Sequence, residues 1–546
     1  MPEYLSPGVY VEEVDTGAKP IEGVGTAMPA FVGFTEKAQL RERVDGGWVT
    51  RDMLNTPTLV TNWTQFVERF GGFTDGAYLP QAVYGFFQNG GRRCYVLSVK
   101  TMPKAQAVLL NAEGKPQLIV RAKEAGLAGL RLRVKVDSPD LGEEASKPKK
   151  GDKPPAPFTV TVERERAGGN WGVEEVLRDV TLTQVEGDDV QQVRVAYQEN
   201  KLPQWIELVV PETDVPLAEL WPRTQEQTLQ IDTKLLAPPS AGDFQGDVSE
   251  RTGVEGLEAL DDITIVCVPD LMTPTPDKPL DLDMIKAVQT MVVAHCERLG
   301  DRVAILDPPP NMTPQEMRKW RVDVAAYDSS YAALYYPWIQ VQDPVKNRTV
   351  QIPPAGHIAG LWARTDGERG VHKAPANEVV RGATGLAYNV TQREQDILNP
   401  NGVNCIRAFP GMGIRAWGAR TLSQNAAWRY VNVRRLFNFV EKSIERGTMW
   451  VVFEPNTPRL WARVRRDVSA FLTTIWRSGA LFGSSPDQAF YVKCDEELNP
   501  PESRDLGRLV IEIGLAPVKP AEFVIFRITQ WAGGGAAAGG GEGGEE

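Results

Sequence analysis

An alternation of apolar strands and helices in the middle of this 546-residue chain constrains its fold more than any other feature. The strands predicted at 263–269, 302–307 and 332–341 are largely apolar, as strands buried on both faces are. Helices predicted at 281–299 and 313–324 separate them. Because strand–helix–strand crossovers are right-handed and join parallel strands, this stretch predicts a βαβ domain with a parallel sheet.

The stretch before this domain has a different periodicity. Between about 103 and 250, apolar and polar residues alternate in short segments, which predicts a small antiparallel β domain. The lysine- and proline-rich run Lys147–Pro157 interrupts it and is typical of a loop. Mixed strand and helix signals occur on both sides. We therefore interpret the β-rich stretch as an insertion into a larger, mixed α/β protein.

These signals divide the chain into seven consecutive parts. They are an N-terminal arm (1–28), a first α/β part (29–102), the inserted β-rich domain (103–250), the βαβ domain (251–410), a C-terminal core (411–506), a C-terminal strand arm (507–531) and a Gly/Ala/Glu tail (532–546). In the C-terminal core we expect long helices at 423–445 and 458–476, with a strand at 450–453 between them.

Short apolar strands are predicted at both ends of the chain, and neither has an obvious partner nearby in sequence. Their apolar residues are Val9, Tyr10, Val11 and Val14 at the start, and Val510, Ile511, Ile513, Phe523, Val524, Ile525, Phe526 and Ile528 at the end. Terminal strands leave backbone donors and acceptors open to pairing with another chain. This pattern favours a subunit of a polymer over a monomeric enzyme.

Composition excludes several classes of function. A formal net charge of −11 and a pI near 5.2 argue against nucleic acid as a partner, because its phosphates require a basic surface. The five cysteines form no C-x-x-C pair, so neither a disulfide framework nor a zinc site is indicated. We expect no membrane span, no leader peptide and a reducing, cytosolic environment.

Asp270 and Asp307 are the strongest candidates for chemistry, because each follows a predicted parallel strand. With His295 they leave open a hydrolase or a metal-dependent enzyme. The alternative role, capping the helix after a strand, is more common for such residues. Phosphate-binding and nucleophile motifs are absent from the sequence. We therefore assign no catalytic residue, no metal site and no cofactor.

The predicted helix 458–476 has two distinct faces. Its apolar residues at helical spacing are Leu460, Val464, Val468, Phe471 and Ile475. Arg459, Arg463 and Arg466, together called the arginine stripe, fall on roughly the opposite face. Such a stripe is either a solvated surface or a contact for an acidic partner.

Three stretches resemble the contractile tail sheath proteins of myophages and of phage-tail-like injection systems. They are the opening Tyr4–Glu13, the block Asn456–Arg466 and, most specifically, the ending Gly507–Phe523. The resemblance covers roughly 1–100 and 255–531, and leaves out the β-rich stretch and the tail.

This resemblance implies a structural subunit that forms hexameric rings stacked helically around an inner tube. Its terminal arms would add strands to a sheet of a neighbouring subunit, and the arginine stripe would contact the tube. A flexible segment at 15–28 would let the subunits rotate while the strand joints hold. Baseplate and terminal cap proteins are further implied partners, and the inserted domain would face outward. Assembly would take place in the bacterial cytoplasm, as part of a tail or tail-like particle.

Two other readings stay open from the residues alone. One is the enzyme that uses Asp270 and Asp307. The other is a non-contractile structural or adhesion subunit with the β insertion as its binding module.

Overall fold

The computed structural model describes most of the chain. The described residues are 20–44, 47–139, 156–166, 168–185, 192–198, 202–211, 217–237, 239–274, 279–345 and 347–527. The N-terminal strand residues Val9, Tyr10, Val11 and Val14, together with Ile528, lie outside these ranges.

The described strands are numbered β1 to β24 in chain order. They lie at Pro29–Thr35, Gln39–Val44, Gly47–Asp52, Thr58–Val60, Cys94–Thr101, Gln106–Leu110, Pro116–Ala122, Leu132–Asp137, Phe158–Glu165, Trp171–Val185, Gln192–Ala196, Ile206–Val209, Gln225–Thr228, Ile265–Cys267, Val303–Leu306, Ala332–Tyr336, Ile339–Asp343, Arg348–Ile352, Glu378–Val379, Ala383–Leu386, Val403–Phe409, Gly413–Ala416, Phe490–Lys493 and Glu512–Leu515.

The described α-helices are numbered α1 to α12. They lie at Trp63–Phe70, Leu79–Gln88, Thr233–Leu236, Ala241–Gln245, Leu282–Leu299, Pro314–Lys319, Ala355–Arg369, Gln392–Leu398, Val431–Thr448, Pro458–Arg477, Pro486–Ala489 and Pro501–Asp505. Short 3-10 turns and one π-helical turn at Trp320–Ala325 connect several of them. Among the described residues, no helix is long and apolar enough to cross a membrane.

A nine-stranded sheet forms the centre of the protein, in the order β19-β22-β21-β16-β15-β14-β1-β5-β4. The six strands from β21 to β5 are parallel, and antiparallel strands flank them on both sides. The predicted parallel βαβ arrangement is therefore confirmed. Strand β1 has partners on both sides, since Ala30 pairs with Val266 of β14 and with Tyr95 of β5.

Each face of this sheet is covered by its own apolar core. Helix α5 packs on one face, and α2 and α7 pack on the other. Helices α2 and α7 approach closely because α7 carries glycine at the contact: a Cβ on Gly356 would lie 2.3 Å from the Ala82 backbone. Such close packing fixes the two helices against the sheet and against each other.

The residues between β5 and β14 form two further sheets, ordered β11-β10-β9-β8-β13 and β12-β7-β6. All their pairings are antiparallel, as the alternating sequence pattern predicted. They share a separate apolar core that includes Phe158 and Trp221. This topology has the chain leave the central sheet after β5 and return to it at β14.

The C-terminal part builds a fourth core around α9, α10 and the two-stranded sheet β23–β24. Helix α10, at Pro458–Arg477, matches the predicted 458–476 closely, because Thr457 caps its first turn and proline opens it. Its five predicted apolar residues are buried, as expected.

Other expected elements were wrong. The strand expected at 450–453 is a 3-10 turn at Met449–Val451 followed by a loop. The helix expected from 423 begins only at Val431. The long strand expected at 332–341 is divided by Pro337 into β16 and β17, and β17 leaves the central sheet to pair with β18 and β20.

Candidate functional site

Asp270 fills the place where α/β enzymes bind their ligands. The strand order reverses between β1 and β14, and the crevice beyond their carboxyl ends is the usual ligand site of such sheets. Asp270 Oδ2 accepts hydrogen bonds from the backbone N–H of Phe34 (2.6 Å) and Leu79 (3.2 Å). Its Oδ1 accepts from Tyr78 N–H and from Thr273 Oγ1 (3.1 Å). The carboxylate therefore occupies the amino end of α2 itself.

The surroundings of Asp270 leave no surface for a substrate. The residue is 2% exposed, and a Cβ on Gly33 would lie 2.2 Å from its Oδ2. Burial raises the pKa of Asp270 to about 6, although its four hydrogen bonds oppose that shift. Asp270 is a structural anchor that joins β1, β14 and α2.

Asp307 and His295 are also structural. Asp307 is 2% exposed, and its Oδ1 accepts the N–H of Ala355 at the start of α7 (2.9 Å). Burial raises the pKa of Asp307 to about 8. Burial and the charge of Arg302 lower the pKa of His295 to about 4. Within the described ranges, no three His, Cys, Asp or Glu side chains are grouped to hold a metal ion.

Glu522 binds the C-terminal segment to the rest of the protein. Arg420 holds this carboxylate with two hydrogen bonds, Nε to Oε1 at 2.8 Å and Nη2 to Oε2 at 2.6 Å. Tyr430 Oη donates to Oε2 (3.0 Å), and Asn399 Nδ2 donates to Oε1 (2.8 Å). We call this group the Glu522 clamp. Burial alone would raise the pKa of Glu522, but these donors outweigh it and lower the pKa.

Beyond the clamp, the chain exposes a continuous apolar run. Phe523, Val524, Ile525 and Phe526 are 71%, 70%, 81% and 82% exposed. The strand expected here is absent from the single chain, since the described residues provide no partner for it. We call 523–526 the apolar arm. Four consecutive exposed apolar residues, held in place at one end, form an unusual surface for a soluble protein.

The small sheet β23–β24 offers open edges. Tyr491 pairs with Gly514 and Val492 with Ile513, but no described strand pairs with either outer edge. Val510 and Ile511 lie just before β24 instead of in a strand, and Asn499 Oδ1 accepts the N–H of Val510 at 2.7 Å. A two-stranded sheet supported on one face by a core is a ready acceptor for further strands.

The structure places the three arginines of the stripe on the outer side of α10. Arg459 and Arg466 are exposed, and Arg463 is half-buried. The Arg463 guanidinium lies 4.1 Å from the ring centroid of Trp450, and Arg466 forms an ion pair with Asp467 at 3.1 Å. Asp467 is the only acidic residue of this helix and is buried, so the exposed charges of α10 are all positive.

A junction of the N-terminal segment with α7 and α9 could not be found from the sequence. Arg435 of α9 forms a buried ion pair with Asp366 of α7, and their side chains are 4% and 5% exposed. Thr26 Oγ1 donates to Asp366 Oδ2 (2.6 Å), and Arg435 Nη2 donates to the Thr26 carbonyl (3.0 Å). We call this group the Thr26 junction. Its members are polar residues far apart in sequence, and the hydrophobic periodicity that predicts helices and strands does not indicate that they are in contact.

The Thr26 junction corrects one expectation. The flexible segment predicted at 15–28 is fixed to the body over the residues that the structure describes. Ile21 is buried in the C-terminal core, and Val24 N–H donates to Ser443 Oγ (3.1 Å).

The fold and the open strand edges define a class of protein. It is a multidomain α/β subunit in which Asp270 fills the crevice where α/β enzymes bind their ligands. Comparison with known families then identifies the particular family. Residues 250–422 match the phage tail sheath protein central domain, and 423–530 match the phage tail sheath C-terminal domain. Together these matches span more than half of the chain. The chain belongs to the phage tail sheath family, which is structural, and it is not an enzyme.

Similar proteins agree with this assignment. The tail sheath protein of Vibrio phage KVP40 is 30% identical over 207 residues, which are 37% of this chain and 30% of that protein. A putative prophage major tail sheath protein of Pseudomonas aeruginosa (strain UCBPP-PA14) is 30% identical over 256 residues, which are 45% of this chain and 63% of that protein. The chain therefore spans less than two thirds of these relatives.

Solved structures extend the similarity to the fold of nearly the whole chain. The sheath of the extracellular contractile injection system PVC in its contracted state has a TM-score of 0.57 at 22% identity, covering 97% of this chain and 99% of that one. The contracted helical sheath of the anti-feeding prophage has a TM-score of 0.53 at 22% identity, covering 97% and 100%. The mixed α/β fold predicted from the sequence is thus that of known sheath structures.

Proposed function

We propose that this protein is the structural subunit of a contractile sheath. It polymerises as stacked hexameric rings around an inner tube and contracts to drive that tube through a target envelope. The observation that carries the proposal is the apolar arm. It follows the Glu522 clamp in sequence, is largely exposed, and pairs with no strand among the described residues. Family membership supports the same role.

The joint between subunits is strand addition. The apolar arm of one subunit, and the N-terminal strand of another, pair with the open edges of β23–β24 in a third. Each backbone hydrogen bond formed contributes about 0.5–1.5 kcal/mol net. Side chains of the arm that face the acceptor's core add more, because each apolar side chain that leaves water contributes on the order of 1.5–3 kcal/mol. Joints of this strength survive a change of lattice geometry.

The remaining parts of the subunit have matching roles. The inserted domain at 103–250 faces outward, away from the tube. The inner tube, the baseplate and a terminal cap are the protein partners, and no cofactor or nucleic acid takes part. The subunit assembles in the bacterial cytoplasm and is incorporated into a phage tail or tail-like particle. Energy for contraction is stored at assembly in a metastable extended lattice.

Negative-stain electron microscopy of the purified protein tests the proposal. We expect hollow, helically striated cylinders, either from the protein alone or after addition of its tube and baseplate proteins. Those components would supply a nucleus if the isolated chain does not form one. Small uniform particles that persist in the presence of tube and baseplate would contradict the proposal and favour the adhesion-subunit alternative.

Reversing the charge of the arginine stripe is expected to weaken attachment to the tube. The variant Arg459→Glu, Arg463→Glu, Arg466→Glu would bring negative charges against the acidic groups that the proposed tube contact requires. We therefore expect the variant to bind the tube at least tenfold more weakly. Co-sedimentation with tube polymers at two salt concentrations measures this change. A matched control reverses three exposed arginines of the inserted domain, Arg178, Arg194 and Arg223. Equal loss in the control, or global unfolding of the first variant by circular dichroism, would contradict the tube contact.

A further inference from the structure

The outer edge of β24 is the edge that faces away from β23. Ala516, the residue after β24, donates its N–H to the Ala489 carbonyl (2.9 Å), on the side of β23. Backbone groups of successive residues in a strand point to opposite edges. Ile511, Ile513 and Leu515 therefore direct their N–H and C=O groups toward the outer edge. No described strand pairs with that edge.

A buried asparagine side chain lengthens β24 at its amino end. Asn499 is 0% exposed, its Oδ1 accepts the Val510 N–H (2.7 Å), and its Nδ2 donates to the Val510 carbonyl (3.0 Å). The carboxamide thus bonds both backbone groups of Val510, as a neighbouring strand does. The inner side of the chain is filled from Val510 to Leu515, while the outer side stays open. The apolar run at 523–528 has the same length as this stretch.

The two faces of the sheet β23–β24 differ in chemistry. Three apolar residues pack against the C-terminal core: Ile511, Ile513 and Leu515. The opposite, outer face is polar. There Tyr491 Oη donates to Glu512 Oε1 (2.8 Å), and Lys493 pairs with Glu497 (2.6 Å). A strand added to β24 has to continue both faces, with apolar side chains on the core side and polar ones outside.

The apolar arm meets this requirement with only one of its two faces turned inward. Side chains alternate along a strand, so the arm and the residues after it divide into two sets. One set is Phe523, Ile525 and Arg527, and the other is Val524, Phe526 and Ile528. Only the second set is apolar throughout. Turning the first set inward would bring the Arg527 cation to the core, where an unpaired charge is costly.

The strand that fills the outer edge of β24 comes from a second copy of the chain. After β24, the Val518 N–H donates to the Ala480 carbonyl (3.2 Å), and Asn432 Nδ2 donates to the Val518 carbonyl (3.3 Å). Glu522 is then held in its clamp. The connection is therefore bonded to the body at two points before the arm begins, and the arm does not pair with its own β24.

We propose that the apolar arm of one subunit pairs with the outer edge of β24 in a second copy, with Val524 and Phe526 turned toward the acceptor's core. Phe523, Ile525 and Arg527 are turned outward, on the face that carries Glu512. This inference rests on the proposed function and adds to it the acceptor edge and the buried face of the arm. Backbone hydrogen bonds give the joint its strength, and the alternating side chains determine its register.

Two double variants test which face of the arm is buried. Val524→Asn with Phe526→Asn removes the inward side chains. The matched control, Phe523→Asn with Ile525→Asn, removes one phenylalanine and one β-branched residue from the outward face. All four side chains are exposed in the single chain, so we expect both variants to keep the circular dichroism of the original protein.

Assembly of these variants is measured by sedimentation after addition of tube and baseplate proteins. We expect the concentration of subunit left unassembled to rise at least about tenfold for Val524→Asn with Phe526→Asn, because two apolar side chains no longer leave water. For the control we expect a rise of less than roughly threefold. An equal or larger rise for the control, or no rise for either variant, would overturn the assignment of faces.

A disulfide between copies tests the acceptor edge. When the arm and the stretch 510–515 overlap fully, residue 525 or 527 lies opposite Glu512, depending on the direction of the arm. We therefore expect mild oxidation of sheaths to link Glu512→Cys to either Ile525→Cys or Arg527→Cys and to give covalent multimers. The five native cysteines are buried, so the introduced pair accounts for the product.

Lys493→Cys is the matched control for the acceptor, because Lys493 pairs with Glu512 across β23–β24 and lies one strand farther from the proposed joint. We expect no multimers when it replaces Glu512→Cys, since a disulfide does not span two strand spacings. Multimers with Lys493→Cys alone, or with neither acceptor, would overturn the choice of edge. Unmodified protein that forms no sheath with tube and baseplate would contradict the proposed function itself.

Discussion

Replacing Val524 and Ile525 of the apolar arm by proline is expected to abolish long sheaths and leave a folded, soluble subunit. In a strand, neighbouring residues alternate in direction, so one of the two N–H groups faces the acceptor strand in either register. Proline removes that donor and fits poorly into a paired strand. Because the arm contacts little of its own subunit, the unfolding temperature should change little. Electron microscopy and sedimentation measure the assembly, and circular dichroism measures the fold.

A second variant separates the backbone from the side chains. Val524→Thr with Ile525→Thr keeps both N–H donors and good strand-forming residues, so we expect shorter or fewer sheaths instead of none. Deletion of residues 1–14 is expected to have the same effect as the proline variant, because it removes the other predicted arm. Sheaths of normal length from the proline variant would show that the apolar arm is not a joint.

Replacing Arg435 by methionine is expected to lower the free energy of unfolding by about 3–5 kcal/mol. Asp366 would then be left as a buried carboxylate without its cation, and the Thr26 carbonyl would lose a donor. Removing one partner of a buried ion pair costs far more than the net contribution of the pair itself. Denaturant titration followed by tryptophan fluorescence measures the loss, because the Trp362 ring lies 4.7 Å from the Arg435 guanidinium.

The double variant Asp366→Asn, Arg435→Met provides the control for this prediction. It removes both charges together, and we expect it to regain most of the stability lost by Arg435→Met alone. If the single variant unfolds with the stability of the original protein, the ion pair does not hold the three segments together. A double variant that is as unstable as the single one would assign the loss to packing of the Arg435 side chain.

The sequence predicts the parts of this fold that depend on local pattern. The parallel strands at Ile265–Cys267 and Val303–Leu306 are buried on both faces, and their continuous apolar runs predict them as strands. Helix α10 is equally clear, since its cap, its first proline and its apolar face agree. Short apolar runs are ambiguous. The pattern at 450–453 predicts a strand, but Trp450 and Val451 belong to a 3-10 turn and pack against the C-terminal core, while Val452 and Phe453 are exposed.

The candidate site depends on contacts over long sequence distances, which periodicity does not encode. The hydrogen bond from Arg435 to Thr26 spans 409 residues, and the one from Arg420 to Glu522 spans 102. The arginine stripe and the apolar arm were found as candidates because they are local patterns. The Glu522 clamp and the Thr26 junction required the three-dimensional arrangement.

The Glu522 clamp also determines how mechanical load would pass through the proposed lattice. A pull on the apolar arm by a neighbouring subunit is transmitted to the body at Arg420, Tyr430 and Asn399. These residues belong to the central part of the chain and to the connection before α9, so tension bypasses β23–β24 of the same subunit. In the proposed lattice, the sheet that would receive a neighbour's strand and the anchor that would hold the subunit's own strand are separate attachment points. If the subunits are joined in the proposed way, each would bear tension on its own arm without pulling apart the sheet that holds its neighbour's strand.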